Sequence, residues 1–292
     1  MYFIDDYENS LKAKGKAKAS VNAYLADVDD FEQYLNAEYS KPLENATKDE
    51  ITNYLYGLYK HGKSDSTINR RIASLKSFYS YLLSINAISE SPVKDIKTEK
   101  IEPKELVYMT IPEINQLLEL PDDSDAGKRD KALLELMYAS GIRASELCNV
   151  NVKDIDLKIG YISIHSNGKS RMVPLGRPCQ YAINDYLNGP RTRILGKKDD
   201  CNALFLSYLG ERITRQGIWK ILKNYAVKTS FPEKISPQTI RNTFAAHLIQ
   251  NGADLKSLQE LLGHEDIMAT KIYLSVAKNR ILDVYDKAFP RA

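Results

Sequence analysis

The chain has 292 residues, 43% hydrophobic and 27% charged, which is length and composition enough for two ordinary domains with cores of their own. Its 41 basic residues nearly balance 38 acidic ones, so a net charge of +3 does not by itself identify a polyanionic partner. No apolar run approaches the ~20 residues that span a bilayer, Met1-Tyr2-Phe3-Ile4-Asp5-Asp6 lacks a signal peptide's basic start, and Cys148, Cys179 and Cys201 lack CxxC or zinc-ligand spacing. A cytosolic protein without membrane segment, disulfide framework or zinc site is expected.

In the N-terminal third, Val21, Tyr24, Leu25, Val28, Phe31 and Leu35 recur at helical spacing after Ser20, a good N-cap residue. Thr47-Lys48-Asp49-Glu50 reads as a capping box, opening a helix that carries Ile51, Tyr54, Leu55 and Leu58. Another helix follows Ser64 or Ser66, with Ile68, Ile72, Leu75, Phe78, Tyr79 and Leu82 as its apolar stripe. With Tyr2 to Leu11 these predict a four-helix domain over residues 1–90 whose aromatic residues are core. Lys12, Lys14, Lys16 and Lys18 cluster before the Ser20 helix, and Asn69, Arg70, Arg71 and Lys76 share a polar face, so each is a candidate phosphate contact or a solvated charge.

Residues 91–109 turn polar and lose their periodicity, as a linker does, until Thr110 and Glu113 make a second capping box. The C-terminal domain, 110–292, continues with a helix carrying Leu133, Leu134, Leu136 and Met137 that Gly141 ends, placing Arg143 just past a helix terminus. Tyr161 to Ile164 and Arg171 to Leu175 alternate as strands around Asn167-Gly168, a strong hairpin signal. Further helices are expected at Arg215–Tyr225, Pro237–Gln250 and Leu255–Leu262, and around Tyr273.

Ser236-Pro237-Gln238-Thr239-Ile240-Arg241, Leu262-Gly263-His264 and Tyr273 bring an arginine, a histidine and a tyrosine into one C-terminal stretch, with Arg143 upstream in Gly-Ile-Arg-Ala-Ser-Glu-Leu. Guanidiniums grip phosphate oxygens through paired N–H groups, and a phenol held against that phosphate can attack phosphorus. The order of Arg143, Arg241, His264 and Tyr273, with Asn-Gly-Ala-Asp-Leu and Gln-Glu-Leu-Leu-Gly-His nearby, resembles the tyrosine recombinase family, in particular its Xer branch, over nearly the whole chain. The resemblance implies a mainly α-helical fold with a small antiparallel β-sheet, and two domains that close on duplex DNA. It implies cleavage and rejoining through a 3′-phosphotyrosyl link on Tyr273, with no ATP, metal or other cofactor. Arg143 and Arg241 would hold the scissile phosphate, and His264 would donate to it or manage the tyrosine's proton.

The chain departs from the family pattern at three places. Gln238 stands where the family usually has histidine and Asn242 where a second histidine commonly follows; an amide can hydrogen-bond to phosphate or to the tyrosine oxygen but cannot shuttle a proton. Ser166 stands at the place of the hairpin lysine that protonates the leaving 5′-oxygen. If Asn167-Gly168 form a type I′ turn, Lys169 faces Ser166 across the ladder and could serve instead, with His165 and Arg171 as weaker candidates. A structural ion pair of Arg143 with Glu146 is the bland reading of that arginine. His247 reads as packing and His61 as a loop residue without a partner.

The tail residues Ile281, Leu282, Val284, Tyr285 and Phe289 form an apolar stripe, which in the family packs on a neighbouring protomer. A tetramer on two DNA sites, of one chain or paired with a second recombinase, is the assembly this implies. Chromosome dimer resolution and mobile-element integration are both open, the lack of an extra N-terminal arm-binding domain favouring the former. The alternatives are a DNA-binding accessory protein of the same fold with weakened catalysis, and a type IB topoisomerase.

Overall fold

A computed structural model describes residues 2–98, 105–166, 168–196, 201–264 and 269–273. It divides into two units, Met1–Lys104 and Glu105–Ala292, the boundary falling inside the stretch whose composition marks a linker.

The first unit is built from α1 (Tyr2–Ala13), α2 (Lys18–Tyr39), α3 (Lys48–Lys60) and α4 (Asp65–Ser84). Thr47 and Glu50 form the expected box, the Thr47 N–H donating to Glu50 Oε2 at 2.8 Å, and Ser64 rather than Ser66 caps α4 by accepting from the Thr67 N–H. Ser20 is not a cap: α2 begins at Lys18 behind Ala17, so the helix starts without side-chain help and is stabilised by its buried face. Tyr7, Leu11, Val28, Phe31, Ile51, Leu75, Phe78 and Tyr79 make the core, as the 3.6-residue pattern requires. Val93 is buried against them, so the first unit draws on residues beyond 90.

The second unit begins with α5 (Ile111–Leu118), capped by the Thr110–Glu113 box, and α6 (Asp125–Ser140). A short α7 (Ala144–Leu147) follows, then β1 (Ile155–Asp156), β2 (Tyr161–Ser166) and β3 (Lys169–Pro174) in an antiparallel sheet of that order. Next come α8 (Arg177–Leu187), α9 (Pro190–Leu195), α10 (Arg215–Ala226), α11 (Pro237–Gln250), α12 (Leu255–Leu262) and a 3₁₀ turn, Lys271–Tyr273, where a longer helix was expected. The strand β1 and the helices α7, α8 and α9 have no counterpart in the sequence reading, being short or carrying few periodic residues.

Helix α6 packs against α8, α9 and α11 and is buried on most of its circumference. Helix α11 is buried almost all round, from Pro237 to Ile249. Arg241 and Asn242 on such a helix must find partners inside the protein, because an unpaired polar head in the core is strongly unfavourable. That requirement organises the site. Two glycines shape its edges: Gly141, at φ +56°, ends α6, and Gly263, at φ +62°, ends α12.

A Cβ on Gly141 would lie 2.4 Å from the Phe244 ring of α11 in addition to occupying the left-handed region. Gly141→Ala should therefore lower stability by about 1–3 kcal/mol from backbone strain alone. Denaturant unfolding followed at Trp219, the chain's single tryptophan, checks it; an unchanged midpoint would mean that α6 and α11 are not held at this spacing.

Candidate active site

Three guanidiniums converge on the C-terminal end of α12. Arg241 is 3% exposed; it donates from Nη1 to the Gly141 carbonyl and from Nη2 to the Leu262 carbonyl at 2.7 Å. Arg143, which caps α7, approaches the same Leu262 oxygen and the Gly263 oxygen at 3.4 Å. Arg171 on β3 donates from Nε to the Leu261 oxygen at 2.8 Å. The last carbonyls of a helix lack intrahelical partners and carry its negative dipole end, so they are suited to cations.

Buried Glu146 completes the arrangement. Its Oε1 accepts from Arg143 Nη1 at 2.9 Å and Arg171 Nη1 at 3.0 Å, and its Oε2 from Arg171 Nη2 at 2.8 Å and the Arg143 N–H at 2.9 Å. Burial opposes its ionisation, but the Arg171 hydrogen bond, the Arg143 backbone bond and both charges hold it at about 2. The Arg143–Glu146 pair given little weight in the sequence thus exists, yet the Arg143 side chain stays 38% exposed and keeps donors open to the cavity. Three cations against one carboxylate leave an excess of positive charge.

His264 reports that excess. Arg241 Nη2 can only donate, so His264 Nε2 at 2.9 Å accepts and the ring proton sits on Nδ1, donating to Thr270 Oγ1 at 2.9 Å. Burial first, then Arg241, Arg143 and Arg171, push the imidazole down to about 4, and burial with the neighbouring arginines lowers Arg241 to about 10.

Tyr273 is only 1% exposed, and its hydroxyl donates to Asn242 Oδ1 at 3.1 Å. Asn242 also accepts from Gln238 Nε2 at 2.9 Å and donates to the Val107 carbonyl at 3.0 Å. Of the two partners open to that amide, phosphate or the tyrosine oxygen, the tyrosine occupies it here. The buried Asn242 faces inward, while Gln238 is exposed. Burial raises the phenol's pKa against the opposing pull of Arg241 and Arg143.

A cavity of about 900 Å³ opens beside the cluster, lined among others by Arg143, Ser166, Lys169, Arg171, Lys256 and His264. Ser166 pairs with Lys169 in the hairpin register, as the turn chemistry predicts; Asn167 itself lies outside the described residues. His165 is exposed, 3.8 Å from Asp154 Oδ1. His247 packs in the domain with Tyr138 at 2.9 Å, and His61 does have a partner, the Gly57 carbonyl at 2.7 Å. The tail residues 281–289 lie outside the described residues.

In the first unit, Arg71 departs from the expected solvent-facing role. Its side chain is 13% exposed and bonded to Asp30 and the Tyr54 hydroxyl, so it braces α2, α3 and α4. Arg70 pairs with Asp27 but remains largely exposed, Lys16 lies over the Tyr24 ring at 5.2 Å, Lys18 is exposed at the start of α2, and Lys76 is half-buried. The long sequence separation between α2 and α4 hides such pairings from a reading of one helix at a time.

Two family models match the chain: "Phage integrase family" over residues 108–280 and "Phage integrase, N-terminal SAM-like domain" over 4–86. The chain belongs to this family, that of the tyrosine recombinases. It is 36% identical to tyrosine recombinase XerD of Oceanobacillus iheyensis over 100% of this chain and 99% of that one. Against XerD of Listeria innocua the identity is 37%, covering 99% of each. Among solved structures, a XerH site-specific recombinase bound to palindromic difH substrate matches with a TM-score of 0.76 and 23% identity over 94% of this chain and 81% of that one, which shows the shared fold. No helix among the described residues is long and apolar enough to cross a membrane.

The electrostatics give a pH signature. His264 is neutral in the fold down to about pH 4 but takes a proton near 6.5 once unfolded, so acid favours the unfolded chain progressively from 6.5 to 4. Glu146, depressed from 4.5 to about 2, adds a further loss as pH falls across that lower window. H264N should flatten the upper limb of the stability–pH curve and E146Q the lower. Unchanged limbs in equilibrium denaturation across pH 2–7 would mean that the fold does not hold these charge states.

Proposed function

We propose that this chain is a site-specific DNA recombinase that breaks and rejoins double-stranded DNA, with Tyr273 as nucleophile. One observation carries the reading: two guanidiniums from distant segments, Arg143 and Arg241, meet at the Leu262 carbonyl, with the phenol tied to the residue that follows Arg241. Such a site neutralises charge developing on a phosphoryl group, and the planar, permanently charged fork of arginine suits it.

In the proposed reaction the phenol leaves Asn242 and its oxygen attacks phosphorus while its proton passes to water. The P–O5′ bond breaks, and Lys169, across the ladder from Ser166 and on the wall shared with Arg143 and His264, gives the leaving oxygen its proton. His264 donates to the phosphate once the anion restores a proton to Nε2. The phosphotyrosyl bond conserves the diester's energy for rejoining, so the chain's residues need no ATP or metal. Lys16, Lys18, Arg70 and Lys76 in the first unit, and Gln238 beside the site, are the proposed DNA contacts, with Arg71 and Asn242 as internal supports. By likeness to the XerD relatives, the assembly is four protomers on two sites, of this chain or with a second recombinase, acting on the chromosome in the cytoplasm to resolve dimers.

Covalent capture from a pool of randomised, nicked duplexes tests this and supplies a cleavable site. The wild-type chain should yield a denaturation-resistant protein–DNA adduct and Y273F none. On the captured duplex, R143A and R241A should each slow adduct formation by about 10²-fold or more, the magnitude of losing one preorganised charge contact. Duplex binding by the wild type without any adduct would instead identify a DNA-binding accessory protein of this fold.

A further inference from the structure

Resting on the recombinase reading above, we propose that Arg171 is a positioning residue: it ties the hairpin to the end of α12 and thereby sets where Lys169 presents its ammonium to the leaving 5′-oxygen.

Lys169 sits at the tip of a two-stranded projection, and such a tip is poorly placed unless something beyond the ladder holds it. Partners across the ladder are Ile162 and Val173, Ile164 and Arg171, and Ser166 and Lys169. Directly opposed residues share a sheet face, and alternate residues of one strand do too, so all six side chains belong to one face. Ile162, Ile164 and Val173 are buried, which turns that face toward the body of the domain. Arg171 is therefore the step between the buried base of β3 and the lysine, two residues or about 7 Å of strand away.

Its bonds show what it does. Nε donates to the Leu261 carbonyl at 2.8 Å, and the two Nη atoms grip both oxygens of Glu146 at 3.0 and 2.8 Å. With its side chain only 12% exposed and its fork filled, Arg171 is not arranged to take a phosphate, in contrast with half-open Arg143. The α12 terminus is shaped to admit it: a Cβ on Gly263 would lie 2.9 Å from Arg171 Nη1 and 3.0 Å from Cδ. A lysine at 171 would keep the charge but could not reproduce three bonds in one plane. A misplacement of about 1 Å at a reacting group is worth on the order of 10²-fold in rate.

The test separates positioning of the acid from support of the phosphate grip. Replacing the bridging 5′-oxygen of the captured duplex by sulfur gives a thiolate leaving group that departs without a proton donor. R171K should cleave the oxygen duplex about 10²-fold more slowly than wild type yet approach the wild-type rate on the sulfur duplex. K169M should behave in the same way, and the double variant should be no worse than K169M alone, as expected for two residues acting through one step. Thermal unfolding of R171K and its affinity for the uncleaved duplex should stay near wild type; R171A serves as the second variant if R171K misfolds. R171K cleaving the oxygen duplex at the wild-type rate would overturn the proposal. So would a defect undiminished by sulfur, which would place Arg171's effect on Glu146 and the phosphate instead. Failure of the wild type to form any adduct would strike the recombinase reading itself, a separate outcome.

Discussion

The site depends on keeping three like charges together in a partly buried place. Two unit charges about 4 Å apart repel by about 4 kcal/mol at an effective dielectric of ~20, so three guanidiniums do not gather without compensation. The compensation comes from two sources. Glu146 is shared between Arg143 and Arg171, and the α12 terminus offers the oxygens of Leu261, Leu262 and Gly263. Neither removes the positive excess, which still displaces a proton from His264 down to about pH 4 and lowers Arg241 to about 10. A phosphate diester entering beside Arg143 would relieve the same repulsion. The free energy of holding the empty site thus becomes affinity for an anion, the preorganisation that distinguishes such a site from a surface cluster of lysines.

Much of the fold exists to maintain this geometry. Arg241 projects from a helix buried on nearly all sides, which leaves its guanidinium few directions and no water. The left-handed turn at Gly141 lets the chain leave α6 so that its own carbonyl meets Arg241 while Arg143, two residues later, caps α7. At the other end of the cluster, the turn at Gly263 exposes the last α12 carbonyls to all three arginines. Two helix termini and one strand thereby define one position, and no loop has to be ordered at binding for the arginines to converge.

The sequence was most legible where chemistry is local. Capping boxes at Thr47 and Thr110, the stop at Gly141 and the Asn167-Gly168 hairpin all depend on residues within a few positions of one another, and α3, α5, α6 and the β2–β3 register follow from them. The four residues read as the core of the site are brought into one region, with Arg143, Arg241 and His264 joined by contacts. What could not be read were pairings across long separations. Arg171 appears in sequence as an alternating strand residue, with nothing to announce that Glu146, 25 positions earlier, will accept both of its Nη atoms. Arg71 likewise looks solvated until α2 and α3 supply Asp30 and Tyr54. The start of α2 at Lys18 shows the converse, burial of a helix face overriding the cap preference of Ser20.

Asn242 sharpens the question of how a phenol becomes a nucleophile here. An amide neither accepts nor releases a proton near neutrality, so the bond from Tyr273 to Asn242 Oδ1 can hold the hydroxyl but cannot deprotonate it. Burial pushes the phenol's pKa up in that position, whereas Arg241 and Arg143 pull it down. Moving the ring out of the core toward the arginines would weaken the first influence and strengthen the second. Activation in this chain is then chiefly a matter of place: the phenol becomes easier to ionise along the same path that brings it to phosphorus. Because the holding group does not titrate, release of the tyrosine would depend on displacing Asn242 from its contacts with Gln238 and Val107 and not on pH, which makes occupancy of the neighbouring anion site the natural trigger.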